Sequence, residues 1–338
     1  MKKKVYIIAE VGPNHQGSVK SAFRYIKVLS KIGVDAVKFQ IGIASEHYSR
    51  DSFKANYQKR NFKNNDGIIQ QANKRLLKHK DHIKLYKEAK KNRIDYICSA
   101  FDLKSLIFLN KNTNFPCYKI PSGEIRSLDI LNYLSKQRKP IILSTGMSNL
   151  SEIKTAINIL NKNFKKKIIL MHCVSDYPAK IKDLNLNFIT ELKKIFKCQV
   201  GLSDHSRGFL APVIAVSLGA TFIEKHVTFS NNLNGPDHKA SATIKELADL
   251  VRAIRETEDC LGKFKKVISA EEISNAMAVR KSCVATKTIN VGERIKKNDI
   301  CFKRPGTGIS PLNFKKLINK KAKKIILEDK VFKFKDIE

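Results

Sequence analysis

One pattern recurs through the first two thirds of the chain: a short β-branched apolar run, a polar residue at its end, then an amphipathic segment. Such runs predict eight strands, at residues 5–9, 36–39, 95–99, 117–120, 140–144, 167–173, 199–203 and 221–225. Helical periodicity fills most of the intervals, at 19–32, 81–92, 104–110, 128–136, 150–164, 187–196, 209–218 and 244–261. The strands read as continuous apolar runs, as parallel strands covered on both faces do. Eight strand–helix units over about 250 residues predict an α/β fold, a (β/α)8 TIM barrel rather than an open sheet.

A polar stretch at 45–73, carrying His47, Tyr48, Phe53, Tyr57 and Phe62, follows the second strand and is longer than an ordinary βα loop. Insertions at that end of a barrel tend to be lids or substrate loops. After Leu261 the pattern changes. We expect a barrel over 1–262, a linker with a short helix over 263–278, and a small, mostly-β C-terminal domain over 279–338. That module has strand-like runs at 282–285, 299–302 and 324–326, a helical turn near 311–318, and the loop Arg304-Pro305-Gly306-Thr307-Gly308. So small a core is marginal alone, and it is expected to pack on another surface.

Composition narrows the class. With 338 residues, 42% apolar and 28% charged, the chain is neither disordered nor fibrous nor a disulfide scaffold. No run of ~18 apolar residues offers a transmembrane helix. The apolar stretch behind Met-Lys-Lys-Lys stops at Glu10, too short for a signal peptide, so a cytoplasmic protein is expected. Cys98, Cys117, Cys173, Cys198, Cys260, Cys283 and Cys301 form no CxxC and an odd count, as reduced structural thiols do. The net charge of +34 raises nucleic acid, membrane or anionic substrate as partners. Lysine is scattered, however, in short clusters such as Lys87, Lys90 and Lys91, without a basic arm or interleaved aromatics. We read it as solvated helix faces, with attraction of an anionic substrate as a by-product.

Chemistry in such a barrel sits at the C-terminal ends of the strands. Those positions hold Glu10, Lys38 with Gln40, Ser99 with Asp102, Lys119 with Ser122 and Glu124, Ser144 with Thr145, His172 with Ser175 and Tyr177, Ser203 with Asp204 and His205, and Glu224 with His226. Any one of these reads equally as a satisfied loop residue; eight together do not. His205 and His226 follow neighbouring strands and could share a divalent metal, or each serve as a lone hydrogen-bonding histidine. A zinc site would want a third imidazole, for which His172 is the candidate; two imidazoles with oxygen ligands suit Mn²⁺ better. Serines 99, 122, 144 and 203 with Lys38 and Lys119 suit a phosphate held by fixed donors and point charges. No GxGxxG and no GxxxxGK[ST] indicates a nucleotide site. Glu10 and Glu124 are both candidate general bases, and Glu124 reads equally as an ion-pair partner of a nearby lysine.

At these residues the sequence resembles the sialic acid synthase family, the phosphoenolpyruvate-condensing enzymes of N-acetylneuraminate and related nonulosonates, including legionaminate and pseudaminate. The segments are IAEVGPNHQG (8–17), AVKFQ (36–40), YKIPSGE (118–124), ILSTGM (142–147), HCVSDYPA (172–179), GLSDHS (201–206), EKHVT (224–228), GPDHKAS (235–241) and KRPGTGISP (303–311). The resemblance implies a TIM barrel followed by an antifreeze-like (SAF) domain, and a domain-swapped homodimer in which Arg304 reaches the partner's site. It implies His205 and His226 as ligands of a divalent metal, Mn²⁺ first, with Mg²⁺ or Co²⁺ as alternatives. Lys38, Ser99, Lys119, Ser122, Ser144, Ser175 and Ser203 would surround phosphoenolpyruvate. Gln40, Glu124, Tyr177, Asp237 and Arg304 would hold the amino sugar, with Glu10 catalytic. Two positions depart from relatives: Cys98-Ser99-Ala100-Phe101 stands where many have Ser-Thr-Pro-Phe, and Ser175 where some have Asn.

The implied reaction condenses phosphoenolpyruvate with an N-acetylmannosamine-type sugar, C3 attacking the aldehyde and phosphate leaving by C–O cleavage. The water that adds at C2 would be deprotonated by Glu10 or Glu124. One alternative is condensation with a phosphorylated sugar, giving a 9-phosphate or a shorter keto acid. Another, of a different class, is a polyanion or nucleic-acid binder, which leaves the polar strand ends unexplained.

Overall fold

The computed structural model describes residues 4–61 and 66–338, so Phe62 of the insertion and the first three residues lie outside it. The chain divides into two compact units, Met1–Gly262 and Lys263–Glu338. In the first, eight parallel strands follow one another around a closed sheet: β1 (Tyr6–Glu10), β2 (Ala36–Ile41), β3 (Asp95–Ala100), β4 (Tyr118–Ile120), β5 (Ile141–Ser144), β6 (Ile168–Cys173), β7 (Gln199–Asp204) and β8 (Phe222–Thr228). Closure comes from β1 pairing with β8, with Ile8 opposite Glu224 and Glu10 opposite His226. A two-residue strand β9 (Ala242–Thr243) pairs parallel with the end of β8, Val227 opposite Ala242.

The helices are α1 (Val19–Leu29), then α2 (Ala44–His47), α3 (Asn56–Asn61) and α4 (Ile68–Arg75) in the insertion, then α5 (His79–Lys91). They continue with α6 (Leu103–Asn112), α7 (Leu128–Ser135), α8 (Leu150–Leu160), α9 (Phe188–Phe196), α10 (Leu210–Ser217) and α11 (Ile244–Cys260). Their starts are written in the sequence. Ser18, Asp102, Asn149 and Thr243 cap α1, α6, α8 and α11 by accepting from a backbone N–H of the first turn. Glu152 and Glu246 close the capping box on the last two.

Every strand side chain alternates between two faces, and the two faces differ in kind. Outward positions such as Ile7, Val37, Phe39, Leu143, Leu170 and Ile223 are buried in the main apolar core beneath the helices. Inward positions change character along the barrel. Near its lower end Ile8, Ala36, Ile97, Cys117, Ile142, Ile169 and Met171 form a separate apolar plug. Two residues further on, with the same inward parity, stand Glu10, Lys38, Ser99, Lys119, Ser144 and Cys173. The pleat therefore carries a dry floor directly into a polar mouth.

His82 on α5 shows what the outward layer tolerates. It is fully buried, its Nδ1 lies 2.8 Å from Tyr96 Oη, and its Nε2 has no hydrogen-bond partner. Burial holds its pKa down at about 3, so it is neutral in the fold. The unfolded imidazole titrates near 6.5, so its contribution is complete above that pH and fades as pH falls toward 4. We expect His82→Gln to flatten the loss of folding stability between pH 6.5 and 4, by about 3 kcal/mol at the acid end. Thermal melts across that range check it; a slope unchanged from the parent refutes it.

The second unit begins with α12 (Ala270–Val279), capped by Ser269 and Glu272, where the sequence suggested a linker with a short helix. Its small core gathers Cys283, Ile289, Ile295, Leu317, Ile326 and Phe332. Strands β10 (Ser282–Ala285) and β11 (Ile300–Lys303) pair antiparallel, Cys283 opposite Phe302. The expected run at 324–326 makes only one bridge, Ile326 with Ile289, and 311–318 holds a 3-10 helix at Pro311–Lys316. Among the described residues no helix is long and apolar enough to cross a membrane. The seven cysteines are all free.

Candidate active site

A cavity of about 610 Å³ opens at the C-terminal end of the barrel. Glu10, Lys38, Gln40, Ser99, Lys119, Ser122, Ser144, Ser175, Tyr177, Ser203, His205, His226 and Asp237 all line it. Strand register explains the convergence: Glu10 sits opposite Lys38, Gln40 opposite Ser99, Ser99 opposite Lys119, and Ser203 opposite Glu224.

At the floor two ammonium groups meet two carboxylates. Lys38 Nζ is 3.2 Å from Glu10 Oε2 and 3.2 Å from Glu224 Oε1, and Lys119 Nζ is 3.5 Å from Glu224 Oε2. Ser203 donates to Glu224 at 3.1 Å, Lys38 to Ser99 at 3.4 Å, and Lys119 to Ser144. Burial alone would raise the Glu224 pKa, but Lys119 and Lys38 outweigh it and hold it at about 2. Glu10 has the opposite balance. Burial pushes it up to about 7, with Lys38 opposing and the Glu224 charge adding. Glu10 Oε1 accepts from Gln40 Nε2 at 2.7 Å. Gly12 makes room for that pair: it has a φ of +48°, and a Cβ there would lie 2.9 Å from Glu10 Oε1 and 3.0 Å from Gln40 Nε2.

His205 and His226 stand beside this cluster with ring centroids 5.4 Å apart. His205 Nδ1 lies 2.7 Å from the Val174 carbonyl and so donates to it, leaving Nε2 with its lone pair. His226 Nδ1 is buried without a hydrogen bond, 3.5 Å from Asp237 Oδ2. Burial keeps both rings neutral, His205 at about 4 and His226 well below the ordinary value. Two neutral imidazoles with an orphaned nitrogen fit a mid-hardness divalent cation completed by oxygen ligands. His172, the candidate third imidazole, is elsewhere: its Nε2 bonds the Leu184 carbonyl at 2.7 Å and its ring meets Phe188. Among the described residues no group of three or more His, Cys, Asp or Glu is gathered for a metal. Tyr177 stacks on His205 at 4.0 Å and packs against Tyr57 at 4.6 Å, joining the imidazoles to the insertion.

Of the predicted residues in the barrel unit, Glu124 lies off the cavity lining, and Arg304 belongs to the second unit. The Glu124 carboxylate accepts from Ser127 and lies 3.7 Å from His47 Nδ1. Arg304 is exposed on the second unit, in a loop whose Pro305 carbonyl accepts from Ser282 at 2.6 Å. Glu224 belongs to the site although sequence reading noted it only as a strand-end polar residue; its two-residue spacing from His226 was the available signal. Also unforeseen are Asn56, Gln58 and Arg75 of the insertion, which the structure brings onto the cavity wall.

Fold and cavity together define a (β/α)8-barrel enzyme that sets two buried lysines, a carboxylate held near neutrality and paired neutral imidazoles around one pocket. The NeuB family matches residues 25–266, and the SAF domain matches residues 280–338. The chain belongs to the NeuB family and, like its relatives, is a synthase of the transferase class. It is 41% identical over 333 residues to the N,N'-diacetyllegionaminic acid synthase of Campylobacter jejuni, covering 98% of this chain and 99% of that one. It is 31% identical to the N-acetylneuraminate-9-phosphate synthase of Homo sapiens, covering 96% and 90%. The crystal structure of N-acetylneuraminic acid synthetase from Leptospira borgpetersenii superposes with a TM-score of 0.72 at 33% identity, covering 80% of this chain and 90% of that one.

Proposed function

We propose that this chain condenses phosphoenolpyruvate with an unphosphorylated N-acetylmannosamine-type amino sugar, releasing phosphate and a nonulosonic acid of the neuraminate or legionaminate kind. The observation that carries the reading is the floor of the cavity, where Lys38 and Lys119 are buried among serine hydroxyls beside Glu10 and two neutral imidazoles. An anion carrying a phosphate and a carboxylate matches two fixed ammoniums and the hydroxyls of Ser99, Ser122, Ser144, Ser175 and Ser203. Gln40, Tyr177 and Asp237 would face the sugar, with Arg304 brought by the second unit of a partner chain in a domain-swapped homodimer. His205 and His226 would hold a divalent cation, Mn²⁺ first, which when bound supplies Lewis-acid polarisation of the acceptor carbonyl.

The residues of the chain do the rest. Lys38 and Lys119 fix the enol phosphate while its C3 forms the new bond to the sugar aldehyde carbon; the carbonyl π pair moves to the aldehyde oxygen, which takes a proton to become a hydroxyl, and cationic character is left at C2. Glu10 takes a proton from the water that adds at C2. The C–O bond to phosphate then breaks as the C2 hydroxyl becomes the keto group, its proton leaving with the phosphate. Holding both substrates in one pocket removes part of the entropic barrier of a two-substrate reaction.

Phosphate release with N-acetylmannosamine and a 2,4-diacetamido trideoxy sugar, with and without EDTA, tests the reading. We expect sugar-dependent release that EDTA abolishes and Mn²⁺ restores. No release with any sugar of this class refutes it. A relative that makes a 9-phosphate keeps a second reading in play, in which the acceptor is phosphorylated. N-acetylmannosamine 6-phosphate in the same assay separates the two.

A further inference from the structure

The inner floor of the cavity is built by strand ends, but its outer wall is built by the insertion between β2 and α5. Asn56, Tyr57, Gln58, Ala72 and Arg75 reach the cavity from α3 and α4. The insertion is pinned across the mouth rather than hung over it. Asn61 Nδ2 donates to the Tyr177 carbonyl at 2.8 Å and to the Pro236 carbonyl at 3.1 Å, and Arg60 Nη2 donates to Asp176 at 3.0 Å. The Lys74 carbonyl lies so close to Gly17 that a Cβ there would come within 2.5 Å. The hydrogen bonds fix α3 against the barrel, and the close approach of Lys74 to Gly17 sets the end of α4 against it.

Arg75 is the last residue of that helix, half-buried and on the cavity wall. Its Nη2 donates to Gln71 at 3.3 Å, and its charge acts on Asp237, Tyr48 and Tyr57, which also line the cavity. This wall differs from the floor. The floor concentrates two ammoniums; the wall offers one guanidinium together with phenols and amides. A phosphate calls for clustered cations, whereas a neutral polyol bearing amide carbonyls is read by fixed donors of this kind. We propose that Arg75 is an acceptor-specificity residue, its guanidinium on the cavity wall donating to the carbonyl and hydroxyl oxygens of an uncharged acetamido sugar.

The inference rests on the condensation reading but fails separately from it. Steady-state phosphate release is measured for the parent, Arg75→Met and Arg75→Lys, varying N-acetylmannosamine, a 2,4-diacetamido trideoxy sugar and phosphoenolpyruvate in turn. For Arg75→Met we expect KM of the accepted sugar to rise at least tenfold, with KM for phosphoenolpyruvate within twofold and kcat within threefold. Arg75→Lys should recover part of the loss, because it keeps the charge but not the fork. A sugar KM unchanged in Arg75→Met overturns the proposal, as does an equal rise in both KM values with a lowered thermal midpoint, which marks a structural role. If the parent turns over no sugar, the condensation reading fails, and calorimetric titration of the same sugars into parent and variants decides the role of Arg75. Equal sugar affinity, or none, in parent and Arg75→Met then overturns it; tighter binding by the parent supports it.

Discussion

Glu10→Gln is expected to lower kcat for sugar-dependent phosphate release by about 10²–10⁴, the usual contribution of a positioned general base. The substitution keeps the shape and an oxygen to accept from Gln40, and removes the ability to take a proton together with the charge that faces Lys38. The carboxyl is buried, faces the cavity and is held near 7 by burial, with Lys38 pulling down and Glu224 pushing up. Its ionised form is therefore scarce in acid and abundant above neutrality. Activity of the parent should rise through about pH 7, and the residual activity of Glu10→Gln should lose that limb. A variant within tenfold of the parent, or one that keeps the limb, would assign the proton transfer elsewhere. Glu124 is the natural rival, and Glu124→Gln is the comparison to run beside it. Its carboxylate is turned to Ser127 and His47, off the cavity lining, so a smaller effect is expected there.

The barrel was legible because burial on both faces leaves a simple trace in the chain: apolar strands of β-branched residues, each ended by a polar one. The floor was legible for the same reason, since Glu10, Lys38, Ser99, Lys119, Ser144 and Ser203 stand at strand ends. Orientation was harder to read. His172 and His205 both belong to strand ends, yet odd and even positions face opposite ways, so His172 is turned outward to Leu184. Glu224 was in view but its partners were not, because its ion pairs cross from β8 to β2 and β4. The insertion was legible only as an unusually long polar stretch. Its helices α2, α3 and α4 are short, and their place over the mouth depends on side-chain bonds to distant carbonyls, Asn61 to Tyr177 and Pro236 among them. No local periodicity encodes such ties, and Arg75 stayed hidden with them.

Glu224→Gln is expected to cost roughly 3–5 kcal/mol of barrel stability, the scale seen when one member of a buried ion pair is removed. At roughly 2–4 °C per kcal/mol this is a fall of about 6–20 °C in thermal midpoint. The reason lies in the count of charges at the floor. Lys38 and Lys119 are both buried, and Glu224 lies within 3.5 Å of each. Without it the two ammoniums face only Glu10, which pairs with Lys38 alone. Glu10 should respond: losing a neighbouring negative charge lowers its pKa, and the acid limb of activity should move to lower pH. The deficit left at the floor is also the charge pattern that an enol phosphate supplies. Saturating phosphoenolpyruvate, which binds the folded state alone, should therefore raise the midpoint of Glu224→Gln by more than it raises that of the parent. Differential scanning calorimetry with and without phosphoenolpyruvate measures both shifts. Equal shifts would mean that the substrate's charge is met somewhere other than at Lys38 and Lys119, and the assignment of the cavity floor would fall with that result.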